Sequence, residues 1–209
     1  GLQKLPKSNY AVNLGSSTYL HSIDGHKSID ANLRQNGISN PASQRGIVTV
    51  RMIPGYSRIS NRPIPRNGHQ GIWLYAHGKG VKQTEITDGL SKTVLASEVL
   101  PVSASQSAND DIRGVWVAAS MGASTYSHWT TPNSPQPDNI NGCDPLAKGA
   151  FKCIEIPPGT AQEGDTFAAA RSAHPGGVNV VFADGRATFY LNEVDPKIWR
   201  AISTRCGGE

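Results

Sequence analysis

The chain has 209 residues, and its 20 Lys and Arg against 16 Asp and Glu give a formal net charge of +4. The basic residues are scattered, which argues against nucleic-acid binding, where a clustered stripe with stacking aromatics is needed. Charged residues are only 17%, while 22 Gly and 14 Pro signal many turns; this composition excludes a helical bundle and a wholly disordered chain, and no apolar run is long enough to span a membrane.

Residues 1–70 read as mostly irregular, with one short strand through Val48, Val50 and Met52. Gly55, Pro63, Pro65 and Gly68 mark a loop, and Ile72-Trp73-Leu74-Tyr75 is a predicted strand. Thr84 to Gly89 is predicted as one helical turn, capped by Thr84 and stopped by Asp88-Gly89. Thr93 to Val99 is a predicted strand, and Gly114 to Ala118 another. Residues 120–165 read as a long loop holding a polar, aromatic tract around Trp129, Pro132, Asn133, Pro135 and Pro137. No internal repeat aligns.

The C-terminal part is the most legible. Val178 to Ala183, Asp184-Gly185, and Arg186 to Leu191 form a hairpin pattern. Asp-Gly suits a two-residue type I′ turn. That turn pairs Phe182 with Ala187, Val180 with Phe189 and Val178 with Leu191, and puts all six on one buried face. A helix follows, with Asp195 as N-cap and Pro196 at its first position. Ile198, Trp199, Ile202 and Cys206 fall on one stripe, Arg205 sits in the last turn, and Gly207-Gly208 ends the helix.

Candidates for chemistry are few. Of six histidines, none lies in a His-Glu-x-x-His pattern, and the α/β-hydrolase nucleophile elbow and the P-loop are also missing. His21, Asp24 and His26 could mark a weak metal site, although a polar loop explains them as well. Asp110-Asp111 reads as a solvated charge pair, and Glu85, Asp88 and Glu98 have no spacing that makes them a catalytic pair. Asp138, Asp144 and Asp165 are candidates for a structural calcium; no other cofactor is expected. Cys143 and Cys153 flank a nine-residue loop and are either two buried thiols or a disulfide. A bridge there would stabilise the fold by about 3 kcal/mol on the loop-entropy account and would point outside the cytoplasm. Cys206 is then the odd one.

His174, nine residues and Asp184-Gly185 make the best-defined local pattern. An extended strand between His174 and Asp184 spans roughly 20 Å and argues against a site shared by the two within one chain, while a contact of either end with a neighbouring subunit stays open. His174 is expected to order the Pro175-Gly176-Gly177 entry to that strand, and Asp184-Gly185 to make the turn.

This pattern resembles the prepilin-processing-associated C-terminal domain named for a His, nine residues and Asp-Gly. That domain ends a large planctomycete paralogous family of unknown function (domain of unknown function 1559). Further stretches match: Ser8-Asn9-Tyr10 to Gly15, Ile86-Thr87-Asp88-Gly89 to Glu98, Arg113-Gly114-Val115-Trp116, Thr131 to Pro135, and Asp195-Pro196 to Glu209. The chain departs from the pattern at Leu90, Lys92 and Cys206.

The resemblance implies an α+β fold over residues 1–209 as one domain. It would be mainly antiparallel β with long loops and a short C-terminal helix: a pseudopilin-like globular head without its N-terminal hydrophobic helix. Function is then expected to be structural and non-enzymatic, at the cell surface, outside the cell or in the periplasm. The expected partners are copies of the chain or paralogous envelope proteins, with any membrane contact only through the missing helix. Tyr126, Trp129 and Asn133 are the expected contact surface, together with the loops between 20 and 70. Two alternatives stay open. One is a glycan- or solute-binding module stacking sugars on Trp73, Trp116, Trp129 and Tyr126; the other is a metal-dependent hydrolase.

Overall fold

The computed structural model describes residues 5–24, 27–51, 80–102, 111–118, 120–157 and 165–208. In chain order these form β1 (Tyr10–Asn13), β2 (Ile23–Asp24), α1 (Lys27–Gln35), β3 (Val50–Arg51), β4 (Val94–Glu98) and β5 (Thr125–Tyr126). They continue with β6 (Asp138–Ile140), β7 (Cys153–Glu155), β8 (Gly177–Phe182), β9 (Ala187–Leu191) and α2 (Pro196–Ala201). The main sheet has five strands in the order β5-β1-β4-β8-β9. Its pairings are antiparallel except β1 with β5. Two small parallel pairs, β2 with β3 and β6 with β7, flank it. The expected α+β class with a mainly antiparallel sheet is what forms. The predicted strand at 72–75, with Trp73, lies outside the described residues, as do Met52, His26, His69 and His77.

β1 is an interior strand of the sheet, between β5 and β4, yet the sequence reading leaves it irregular. Its one-sided apolar pattern is broken by Asn13, which is fully buried. The Asn13 side chain donates to the carbonyls of Val94 and Ser203 and accepts from the Gly15 N–H. A buried amide with its partners satisfied costs little, but it hides the strand from a hydrophobicity count. α1 escapes notice for a related reason: among its side chains described, only Leu33 is buried.

The hairpin forms, but its register differs by one residue from the type I′ expectation. Val178 lies opposite Tyr190 and Val180 opposite Thr188. The loop is Ala183-Asp184-Gly185, closed by Gly185 N–H to Phe182 C=O and by Phe182 N–H to Arg186 C=O. Gly185 has φ +89°, while Asp184 is not among the positive-φ residues. Asp184 instead accepts from the Arg186 N–H through its side chain at 2.9 Å. One left-handed residue, not two, makes a three-residue loop with a bulge. The slip turns β9 over: Phe189 and Leu191, expected inside, are 43% and 58% exposed.

Three further expectations change. Gly114 to Ala118 is not a strand but a turn with one bridge, Val115 to Lys7. Gly114 has φ +76°, and a Cβ there would lie 2.6 Å from Pro101. Residues 120–165 are not one loop, since they contain β5, β6 and β7. α2 starts as expected, with Asp195 accepting from the Lys197 N–H, but ends at Ala201 and leaves Ile198 55% exposed.

The core joins Val94, Tyr126, Val178, Val180, Phe182 and Trp199. His128 is buried within it, stacked on Trp199 with ring centroids 3.7 Å apart. Its Nδ1–H donates to the Trp199 carbonyl, so its Nε2 accepts from the Tyr126 hydroxyl at 2.9 Å. Burial pushes the His128 pKa down to about 3 and the Tyr126 hydroxyl well above its usual range.

Four arginines are buried among the described residues. Arg171 pairs with Asp138 and also donates to the carbonyls of Ser134 and Gln136. Arg113 pairs with Asp111 and donates to the Phe151 carbonyl. Asp111, expected to be solvated, is fully buried. Burial raises its pKa, but the Arg113 guanidinium and the N–H groups of Asp144 and Arg113 outweigh this and hold the carboxyl low. Arg45 pairs with Asp24 and Asp30, and Arg205 pairs with Asp24 and donates to the Gly46 carbonyl.

Two predictions rest on these groups. Arg171→Ala strands a buried carboxylate and two loop carbonyls, and is expected to cost about 3–5 kcal/mol in chemical denaturation. For His128, the unfolded chain takes up a proton near pH 6.5 and the folded chain only near pH 3. Stability therefore falls as pH drops through that window, by up to about 1.4 kcal/mol per pH unit. Denaturation midpoints of His128→Gln should be lower at pH 7 but flatter between pH 6.5 and 4; an unchanged slope would show that His128 does not carry this dependence.

Candidate functional site

The motif residues singled out from the sequence meet one another in an unexpected combination. β4 ends in Glu98, whose side chain lies on the outer face of the sheet, yet the residue is only 6% exposed. Neighbours cover it from three directions. From β8, the Asn179 N–H donates to Oε2 at 2.7 Å, with the Asn179 amide at 3.3 Å. From the loop before β8, His174 Nε2 lies 3.0 Å from Oε1. From β1, Tyr10 lies opposite Glu98; burial first, then the Glu98 charge, raises the Tyr10 pKa. The partner of His174 is thus Glu98, 76 residues earlier. Asp184 sits at the far end of β8, as the strand geometry requires.

The loop carrying His174 is held on both sides. Asn133, at φ +50°, accepts from the Ser172 N–H at 2.8 Å and donates to Asn192 Oδ1 at 2.9 Å. Ser172 Oγ donates to the Gly177 carbonyl and accepts from the His174 N–H. Gly177 permits close approach rather than an unusual φ: a Cβ would lie 2.1 Å from the Tyr190 carbonyl and 2.8 Å from the Phe189 ring. Gly176 supplies the left-handed step before it, φ +81°. The His174 ring meets Phe189 edge-on, with centroids 6.4 Å apart.

Asp88 has a different task. Its carboxylate accepts from the N–H groups of Gly207 and Gly208 at 2.6 and 3.0 Å, and so ties the C-terminal segment to the turn before β4. Gly89 takes φ +97° in that turn. The short helical turn is Gln83–Glu85, where the Glu85 carboxylate, not Thr84, provides the cap by accepting from the Lys82 N–H. Glu85, Asp88 and Glu98 therefore serve three separate places.

The expected contact surface divides. Tyr126 is fully buried and takes no part in one. Asn133 is used internally. Trp129 is half-buried, with the Arg200 guanidinium 4.8 Å above its ring and Phe167 beside it. Trp116 and Val117 instead stand 63% and 65% exposed, because the turn at Gly114 points them away from the sheet.

The calcium candidates do not gather. Asp138 is taken by Arg171 and the Ala169 N–H, while Asp144 is buried and accepts from the Leu146 N–H. Among the described residues no three His, Cys, Asp or Glu side chains could hold a metal ion. A cavity of about 10 Å³ beside Arg113, Asp138 and Arg171 has room for a water and little more. Cys143 and Cys153 form a disulfide, and Cys206 is free, its thiol on the Ala42 carbonyl and its pKa raised by burial.

These motif positions can be set beside known families. A family described as "Protein of unknown function (DUF1559)" matches residues 21–197. The chain belongs to that family. The matched region holds Asp88, Glu98, His174 and Asp184 and stops before the C-terminal glycines that Asp88 binds. No curated protein and no solved structure matches the chain. For this DUF1559 member, the His and Asp-Gly of its hairpin are two anchors, one at each end of β8.

Glu98→Ala should strand the Asn179 N–H and free the 172–177 loop. A loss of about 1–3 kcal/mol is expected, with faster amide exchange at residues 172–179. An unchanged exchange pattern would show that the carboxylate does not hold this loop.

Proposed function

We propose that this DUF1559 chain is a non-enzymatic structural subunit. It works as a pseudopilin-like head outside the cytoplasm, at the cell surface or in the periplasm, and assembles with copies of itself or with paralogous envelope proteins. The observation that carries this reading is the use made of the motif residues. Glu98 and His174 join β4, β8 and the loop that enters β8, Asp88 holds the C-terminal segment, and Asp184 makes the hairpin turn. A signature used to fix one architecture, and not to build a cleft, suits a family that repeats a scaffold and varies its surface. The Cys143–Cys153 bridge supports an oxidising compartment. The pseudopilin assignment itself rests on the sequence resemblance.

Cells making the natural gene product offer the test. The subunit should be recovered from the envelope or medium with its disulfide oxidised, should react with membrane-impermeant labels, and should cross-link into multimers. Recovery as a reduced cytoplasmic monomer would overturn the proposal.

A second reading, a glycan- or solute-binding module, is favoured by one observation, the exposure of Trp116 at 63%. Stacking of a sugar on this ring should quench its fluorescence, and Trp116→Ala should abolish the effect; no response to a broad glycan panel removes this reading.

A further inference from the structure

Asparagine followed by glycine is the dipeptide in which a chain most readily attacks itself, because glycine has no side chain to shield its nitrogen. The step needs that nitrogen to lose its proton and to reach the asparagine Cγ. An acceptor already held by the glycine N–H opposes both. The chain has three such pairs, Asn36-Gly37, Asn67-Gly68 and Asn141-Gly142. Asn67-Gly68 lies outside the described residues.

The fold treats the other two pairs differently. Asn36 extends the last turn of α1. Its N–H donates to the Asn32 carbonyl, its side-chain amide to Asn32 Oδ1, and the Gly37 N–H to the Arg34 carbonyl at 3.1 Å. Gly89 and Gly185, which follow aspartates, likewise give their N–H groups to the carbonyls of Ile86 and Phe182. At Asn141-Gly142 the glycine C=O is used and its N–H is not. The Gly142 carbonyl accepts from the Ile112 N–H at 2.8 Å, while among the described residues no acceptor meets the Gly142 N–H. Gly142 has φ +74°, and a Cβ there would meet nothing beyond its chain neighbours closer than Ile112 Cβ, 3.9 Å away. Asn141 is half-buried, and its Nδ2 donates to the Ile156 carbonyl at 2.7 Å.

We propose that Asn141-Gly142 is a self-modification site, at which the folded chain closes a succinimide and opens it to isoaspartate. Gly142 N bonds to Asn141 Cγ, the Cγ–Nδ2 bond breaks, and Nδ2 departs as ammonia with the proton that Gly142 N gives up. Water then adds to one of the two ring carbonyls. Opening at one leaves aspartate, and opening at the other leaves isoaspartate; no oxidant or further reactant enters. Position gives the change its consequence. Asn141 lies between the end of β6 and the disulfide at Cys143, beside the bond from Ile156 N–H to Ile140 C=O. A carboxylate at 141 sets an acceptor against the Ile156 carbonyl in place of the donor it now has. The isoaspartate also adds one carbon to the main chain just before the bridge. The β6–β7 pair therefore loosens at this end, while Cys143–Cys153 keeps the segment attached. None of this depends on the structural-subunit reading.

The test holds the folded, oxidised chain and the same chain in denaturant at mildly alkaline pH, and follows both by peptide mapping with mass spectrometry. In the folded chain Asn141 should gain one dalton, with isoaspartate in excess and one oxygen taken up from isotopically labelled water. The rate at Asn141 relative to Asn36, divided by the same ratio in the unfolded chain, should be at least about fivefold, the factor that one net hydrogen bond contributes. A smaller value overturns the proposal, because the fold then does not select this site. Asn141→Gln keeps an amide but must close a larger ring, so the gain should vanish from that peptide; its persistence is equally fatal. In the modified chain, amide exchange should quicken in β6 and β7 and stay unchanged in β8 and β9. Unaltered exchange in β6 and β7 overturns the loosening. The structural-subunit proposal is untouched by these results and stands or falls on the envelope recovery and cross-linking of the natural product.

Discussion

A loop-rich chain has one problem before any other: backbone carbonyls that no sheet or helix satisfies must still find donors when they are buried. Here buried arginines meet much of that need. Each guanidinium has donors in a rigid fork, so one side chain can neutralise an aspartate and also reach carbonyls on a separate loop. Arg171 does this for Ser134, Gln136 and Asp138, and Arg113 for Asp111 and Phe151. Arg45 and Arg205 do the same around Asp24. Desolvating such charges is costly, and the pairing alone does not make the fold stable. Its effect is on specificity: a wrong loop arrangement would leave a buried charge without its partner.

The ends of the chain follow the same logic. Asn13 in β1 bonds to Val94 in β4 and to Ser203 after α2, and Asp88 binds the glycines near the C-terminus. His128 reaches the Trp199 carbonyl from the far side of the core. The segment after β9 is thus held by β1, by the turn before β4 and by the segment after β5. The disulfide acts more locally, closing the loop between β6 and the strand that pairs with it, β7. Glu98 belongs to this set as well. It is an acid on the solvent-side face of a sheet that is covered because β1, β8 and the His174 loop all turn polar groups toward it.

The parts of the fold legible in the sequence are those set by local chemistry. β4 and β8 show as apolar runs, Asp195-Pro196 marks a helix start, and Asp-Gly marks a hairpin. The register of that hairpin is not local. Both two- and three-residue loops accept Asp-Gly, and the choice depends on which face of β9 packs. Tyr190 on the inner face reaches Trp199 and Phe182, which outweighs the burial that Phe189 and Leu191 would gain. Among the site residues, the roles of Asp184 and Gly185 in a turn, and of His174 at the entry to β8, follow from position. That His174 meets Glu98, and that Tyr126 lies in the core instead of on a contact surface, do not.

By itself the sequence determined the C-terminal hairpin, the helix start and the separation of His174 from Asp184, because each follows from spacing and turn chemistry within about ten residues; the fold class came with the family resemblance. Tertiary structure alone decided the rest. It placed β1 inside the sheet, between β5 and β4, with a buried amide, and it gave the buried arginines partners up to 181 residues away. It also turned Phe189 and Leu191 to the outside. These outcomes depend on which distant groups can satisfy one another once water is excluded, and no short window along the chain contains both Arg171 and Asp138, or both Arg205 and Asp24.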